Sequence, residues 1–143
     1  MKNSNQILIV GGILSVMIAI LHIAAIIGGP AWYRFLRAGP LASMAEQGSW
    51  IPAIVTFGVA VVFFVWGLYA FSGAGLIKHL PFLKWALVII SAIYLLRGLL
   101  LIPPLIMAPQ FVDSFLVWTS LISLMIGLAY AIGTKHVWSL RVS

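Results

Sequence analysis

The chain has 143 residues, of which 64% are hydrophobic and only 7% charged, with a formal net charge of +6 and a mean hydropathy of +1.19. A water-soluble domain carries about a quarter charged residues and cannot bury this much apolar surface in so small a globule, so the solvent for most of the chain is lipid. With no cysteine, disulfides, thiolate metal sites and thiol redox chemistry are excluded, and cations scattered singly rather than clustered argue against a nucleic-acid partner.

The first apolar segment, about residues 7–27, follows Lys2 and is long enough to cross a bilayer core as a helix. It begins like a signal peptide. Its apolar run is longer than an h-region, however, contains His22 and lacks a small-x-small cleavage site, so it is expected to remain as a span. Gly11, Ser15 and Ala19 recur at spacing four and lead to His22, a face suited to close helix packing. A histidine on such a face is ordinarily satisfied by a backbone or hydroxyl group.

The stretch GGPAWYRFLRAGP, Gly28 to Pro40, is too polar to span and too aromatic to be a bare loop. Trp32, Phe35 and Leu36 fall at helical spacing, with Arg34 and Arg37 on another side, as in a short helix lying in the membrane interface. A second piece, residues 41–47, includes Glu46, and Trp50 then leads into the second span, about 51–71. The bland reading of this stretch is an aromatic belt with snorkelling arginines.

Ser72-Gly73-Ala74-Gly75 punctuates the next connection. The third span, about 82–102, ends at Pro103-Pro104 and carries Tyr94 and Arg97. At 1.5 Å per residue Arg97 lies roughly 7 Å inside that end, where a charge needs a partner or an external anion. The chain's two carboxylates, Glu46 and Asp113, are the candidate partners. The fourth span, about 115–133, places Trp118 near its start and Thr119, Ser123, Gly127 and Tyr130 on one face. All four spans are expected to be helices, since lipid leaves no backbone group unsatisfied and the alternation of a barrel strand is absent.

Lys2, Lys78, Lys84, Lys135 and Arg141 fall on one side of the resulting topology, with Arg34, Arg37, Glu46 and Asp113 on the other. The positive-inside rule makes the first side cytoplasmic and puts both termini there. His22, Trp50, Tyr94, Arg97 and Trp118 then share one depth, beneath the segment bearing Arg34 and Glu46. Such a cluster suits a pocket with aromatic walls and one buried cation, taking an amphipathic or anionic molecule such as a lipid, a fatty acid or a quinone.

Other chemistry is poorly supported. There is no paired-histidine metal motif, His22 has no second histidine at its depth for a haem, and GGP and SGAG lack the context of a phosphate loop. A Ser49 nucleophile served by His22 and Glu46 has no support in the spacing of those residues.

The run LHIAAIIGGPAWYRFLRAGPLASMAEQGSWIPA, followed by WGLYAFSGAGLIKHLPFL and YLLRGL, resembles a group of small, uncharacterised bacterial inner-membrane proteins of four spans. In that group the GGP-x-WYRF, GSW-x-PA, YA-x-SGAG and LRG blocks recur. The resemblance implies that Trp32, Tyr33, Arg34, Phe35, Trp50 and Arg97 belong to a family pattern, and it carries no activity. In size and span count alone the chain is also similar to DoxX-like four-span proteins.

The expected fold is therefore all-α: one integral membrane domain, a four-helix transmembrane bundle with a short extracytoplasmic amphipathic segment between helices 1 and 2. The leading functional expectation is a non-enzymatic protein whose ligand-binding set is His22, Arg34, Glu46, Trp50, Tyr94, Arg97 and Trp118, with no cofactor identifiable. One alternative is an accessory or assembly subunit whose helix faces meet a membrane partner or a second copy of the chain. The other is an enzyme using His22 and Glu46 as acid and base.

Overall fold

The computed structural model describes residues 2–139, all in helices and their connections. Four helical segments are long and apolar enough to cross a membrane: α1 (Lys2–Gly28), α4 (Ile51–Gly73), the run Leu83–Met107 that begins with α5 (Leu83–Leu99), and α7 (Ser114–Ser139). Short helices α2 (Pro30–Phe35) and α3 (Gly39–Glu46) separate α1 from α4, and α6 (Ile102–Met107) with a 3-10 turn at Pro109–Phe111 separates α5 from α7. The chain is an all-α, multi-pass membrane protein.

Prolines begin elements rather than end them. Pro30, Pro40, Pro103 and Pro109 each occupy the first or second position of a helix, where the missing N–H would have had no intrahelical acceptor. The expected stop at Pro103-Pro104 is thus the first turn of α6, and the third apolar segment continues to Met107. Asp113, one candidate partner of Arg97, accepts a 2.9 Å bond from the Leu116 N–H and so caps α7. Ser49 accepts from the Ile51 N–H two residues on, at 3.3 Å, and so satisfies the first N–H of α4.

Contacts gather the described residues into two compact units, one joining those up to Leu14 to those from Trp66 onward, the other being Ser15–Val65. In the first unit α5 and α7 pack backbone to backbone. A Cβ on Gly98 would stand 2.9 Å from the Leu124 nitrogen, and one on Gly127 would stand 2.8 Å from the Leu95 nitrogen. Each helix therefore presents a glycine to the other's main chain. Two hydroxyls use that proximity: Ser91 donates to the Gly127 carbonyl at 3.1 Å and Ser123 to the Tyr94 carbonyl at 2.9 Å. In lipid, where no hydrophobic force drives helices together, small residues and interhelical hydrogen bonds are what hold them.

The same unit is closed by Leu8, 1% exposed, which fills the space left by Gly73 of α4 and Gly133 of α7. Leu87 of α5 also reaches Gly73, so the start of α1, the end of α4, the start of α5 and the end of α7 meet at one place. One level deeper, the fully buried Tyr130 lies against Gly11 and donates to the Trp66 carbonyl at 3.0 Å.

In the Ser15–Val65 unit, α1 passes to α2 through Gly29, whose φ of 70° and ψ of −148° lie in a region essentially confined to glycine. Gly29→Ala is expected to cost about 1–3 kcal/mol, read as a lower detergent unfolding midpoint. Helices α2 and α3 pack on each other as a hairpin, tied at the surface by the Arg34–Glu46 ion pair.

Candidate functional site

The seven expected site residues divide between the two units. His22, Arg34, Glu46 and Trp50 belong to Ser15–Val65, and Tyr94, Arg97 and Trp118 to the other.

Within Ser15–Val65 the last turns of α1, the α2–α3 hairpin and the first turns of α4 enclose an open pocket of about 160 Å³. Its polar lining is His22, Tyr33 and Thr56, and the rest, including Ala25, Leu36, Leu41, Val55 and Val59, is apolar. His22 is half-buried, with its ring centroid 5.3 Å from that of Phe63. Its Nδ1 lies 2.7 Å from the Ile18 carbonyl, and because a carbonyl only accepts, Nδ1 carries the proton of that bond. In the neutral ring Nε2 is then a hydrogen-bond acceptor. Tyr33 is 3% exposed, and its hydroxyl is buried with no hydrogen-bond partner among the described residues. A buried O–H without an acceptor costs about 1–3 kcal/mol.

Arg34, Glu46 and Trp50 do not line this pocket. Arg34 and Glu46 neutralise each other across the hairpin, which engages the carboxylate that acid–base chemistry with His22 would use. Trp50 is 72% exposed at the entrance of α4, the position of an interfacial anchor. In α2 the apolar side read from the sequence is the outward one: Trp32 and Phe35 are exposed, and the residue turned inward is Tyr33.

In the other unit Tyr94 is buried in an aromatic cluster, 5.6 Å from Tyr130 and 5.2 Å from Trp66 between ring centroids. Arg97 is exposed, and among the described residues its partners are hydroxyls: Ser120 at 3.2 Å and Thr119 at 3.4 Å. The expectation of a carboxylate partner overlooked them. Trp118 is exposed to 66%.

Tyr33 and Thr56 were missed as site residues. Thr56 had a signal, because Pro52, Thr56 and Ala60 form a row of small or compact residues at spacing four, all buried. Tyr33 had only the resemblance, which gives it no role, since a tyrosine between tryptophan and arginine otherwise reads as part of an interfacial belt.

A second, shallower groove of about 310 Å³ runs between α5 and α7, lined by Val88, Ser91, Ala92, Leu95, Ala131 and Thr134. The Thr134 hydroxyl is buried and, like that of Tyr33, has no partner among the described residues.

No group of three or more metal-ligating side chains occurs among the described residues. What the fold and pocket define is a small multi-pass membrane protein. Comparison with protein-family models, curated proteins and solved structures found no match.

Proposed function

We propose that the chain binds an amphipathic small molecule, taking its polar head into the pocket of α1, α2, α3 and α4 without transforming it. The observation that carries this reading is the unpartnered Tyr33 hydroxyl on the pocket wall. A head group offering an oxygen acceptor recovers the lost hydrogen bond, and His22 Nε2 can accept from a hydroxyl on the same head. The volume is close to that of a cavity that takes benzene, about 150 Å³. It holds a ring or a short polar head, and the remainder of the molecule leaves past Val55 and Val59, which are exposed on α4.

No cation lines the pocket, and Arg34 is engaged by Glu46. The head is therefore held by hydrogen bonding, as a quinone, an ester or a protonated fatty acid would be. The ion-paired hairpin serves as its lid.

The setting belongs to the same proposal: a bacterial inner membrane, both termini cytoplasmic, with the pocket in the periplasmic half. Its support is the lysine bias toward the α4–α5 connection and the end of α7, together with the resemblance noted from the sequence. Arg141, one of the residues behind that bias, lies outside the described residues.

The test is to purify the full-length chain in mild detergent and identify the extracted small molecules by mass spectrometry. Tyr33→Phe should reduce retention about five- to tenfold, the equivalent of about 1–1.4 kcal/mol for one hydrogen bond. Arg97→Gln should leave it unchanged. Equal retention by the wild type and Tyr33→Phe, or a wild type free of any bound amphiphile, rejects the reading.

A specific observation favours the second reading, an accessory subunit. The groove between α5 and α7 has small walls and an unpartnered Thr134 hydroxyl, the features by which a partner helix seats and gains an interhelical hydrogen bond. A co-purifying membrane protein lost in Thr134→Val, with no bound amphiphile, would favour it.

A further inference from the structure

The end of the first unit where α1, α4, α5 and α7 meet around Leu8 is strongly and one-sidedly charged. Lys78 and His79 lie on the α4–α5 connection, Lys84 in the first turn of α5, and Lys135 and His136 near the end of α7. The connection is held in place. The Ser72 hydroxyl donates to the Lys78 carbonyl and accepts from the Leu80 N–H, both at 2.9 Å, and the Tyr69 hydroxyl donates to the Pro81 carbonyl at 3.3 Å. The Lys84 ammonium stands 4.7 Å from the centre of the Trp138 ring, and Trp138 meets Trp85 edge to face, 5.8 Å apart at 88°.

Nothing acidic in the described chain answers this charge. Of the two carboxylates, Glu46 is paired with Arg34. Asp113 caps the opposite end of α7, about 33 Å from Lys135 along the helix at 1.5 Å per residue and far beyond a Debye length of about 8 Å. Among the described residues no carboxylate neutralises it. Trp85 and Trp138, exposed to 63% and 39%, sit at the ends of membrane helices, the level at which indole rings meet lipid headgroups. Their N–H groups add donors that a phosphate or an ester oxygen accepts.

We propose that this end is a binding site for the phosphate of an anionic phospholipid, with Lys78, Lys84 and Lys135 supplying charge and the Trp85–Trp138 pair covering the glycerol and upper acyl chains. The site does not depend on the pocket near Tyr33, and either can fail without the other.

The test titrates the full chain in neutral detergent with phosphatidylglycerol, phosphatidylcholine or glycerol phosphate, following lipid adducts by native mass spectrometry. Phosphatidylglycerol should bind at least about tenfold more tightly than phosphatidylcholine, and glycerol phosphate should not compete. Each of Lys78→Gln, Lys84→Gln and Lys135→Gln should weaken it about fivefold, while the corresponding arginine variants retain it. On the wild type, raising salt from about 0.05 to about 0.5 M should erase the preference. Equal binding of the two lipids, an unaltered preference in the glutamine variants or at high salt, or effective competition by glycerol phosphate overturns the proposal.

Discussion

Gly127→Leu should destabilise the protein by about 3 kcal/mol or more, at the upper end of overpacking costs. The first atom of any side chain there would lie 2.8 Å from the Leu95 backbone nitrogen, and backbone cannot rotate aside as a side chain can. The α5 and α7 axes would have to separate. Separation would lengthen the Ser91–Gly127 and Ser123–Tyr94 hydrogen bonds and lift Gly98 from Leu124. Gly127→Ala should act in the same direction at about 1–2 kcal/mol. Gly58→Ala in α4 is the control of opposite sign: a Cβ there meets nothing within 4 Å, so removing glycine from a helix interior should stabilise by about 0.5–1 kcal/mol. Unfolding in mixed micelles with increasing SDS reads all three. A Gly127→Leu protein as stable as the wild type would show that α5 and α7 do not meet at their backbones.

Tyr130→Ala should cost about 3–5 kcal/mol, the range for truncating a buried aromatic. The side chain is fully buried, lies on Gly11, stacks beside Tyr94 and reaches the Trp66 carbonyl. Tyr130→Phe separates packing from polarity. It removes only the hydroxyl, and interhelical hydrogen bonds in membranes average about 0.6 kcal/mol. That carbonyl belongs to α4 and keeps its place in the helix. The same unfolding assay should therefore place Tyr130→Phe near the wild type and Tyr130→Ala far below it. Equal losses would mean that the hydrogen bond, rather than the ring, holds α7 to α1 and α4.

The helices were legible because lipid imposes a length and an apolar content that any window over the sequence detects. The expected starts at 7, 51, 82 and 115 lie close to those of the apolar spans, Gln6, Ile51, Leu83 and Ser114, although the first helix itself begins earlier, at Lys2. The row Thr119, Ser123, Gly127 and Tyr130 was also legible as a packing face; the last three are buried and Thr119 is half-buried. Helix ends were less so. Pro103-Pro104 reads as a stop, yet proline fits the first turn of a new helix, and α7 runs to Ser139 because its polar last turns still satisfy their own backbone.

The candidate site was legible only in part. His22 was singled out because a polar ring on a row of small residues stands out, and it lines the pocket of the Ser15–Val65 unit. Which residue of α2 turns inward depends on how a six-residue helix rolls against its neighbours, and Trp32, Tyr33 and Phe35 are equally plausible from composition. Shared depth along the spans was the argument for grouping Arg97 and Trp118 with His22. Depth fixes one coordinate and leaves the rotation of each helix open, and both residues are exposed.

Arg97 has a consequence for the surrounding membrane. A guanidinium anchored to Ser120 and Thr119 on an exposed helix face draws water and polar headgroups inward, because moving them costs less than leaving the cation in hydrocarbon. The acyl layer along that flank of α5 and α7 would accordingly be compressed, with its chains splayed, so a local dent in the bilayer is the expected cost of carrying the cation there. A dent of this kind favours thin membranes and brings short-spanned neighbours to the same side.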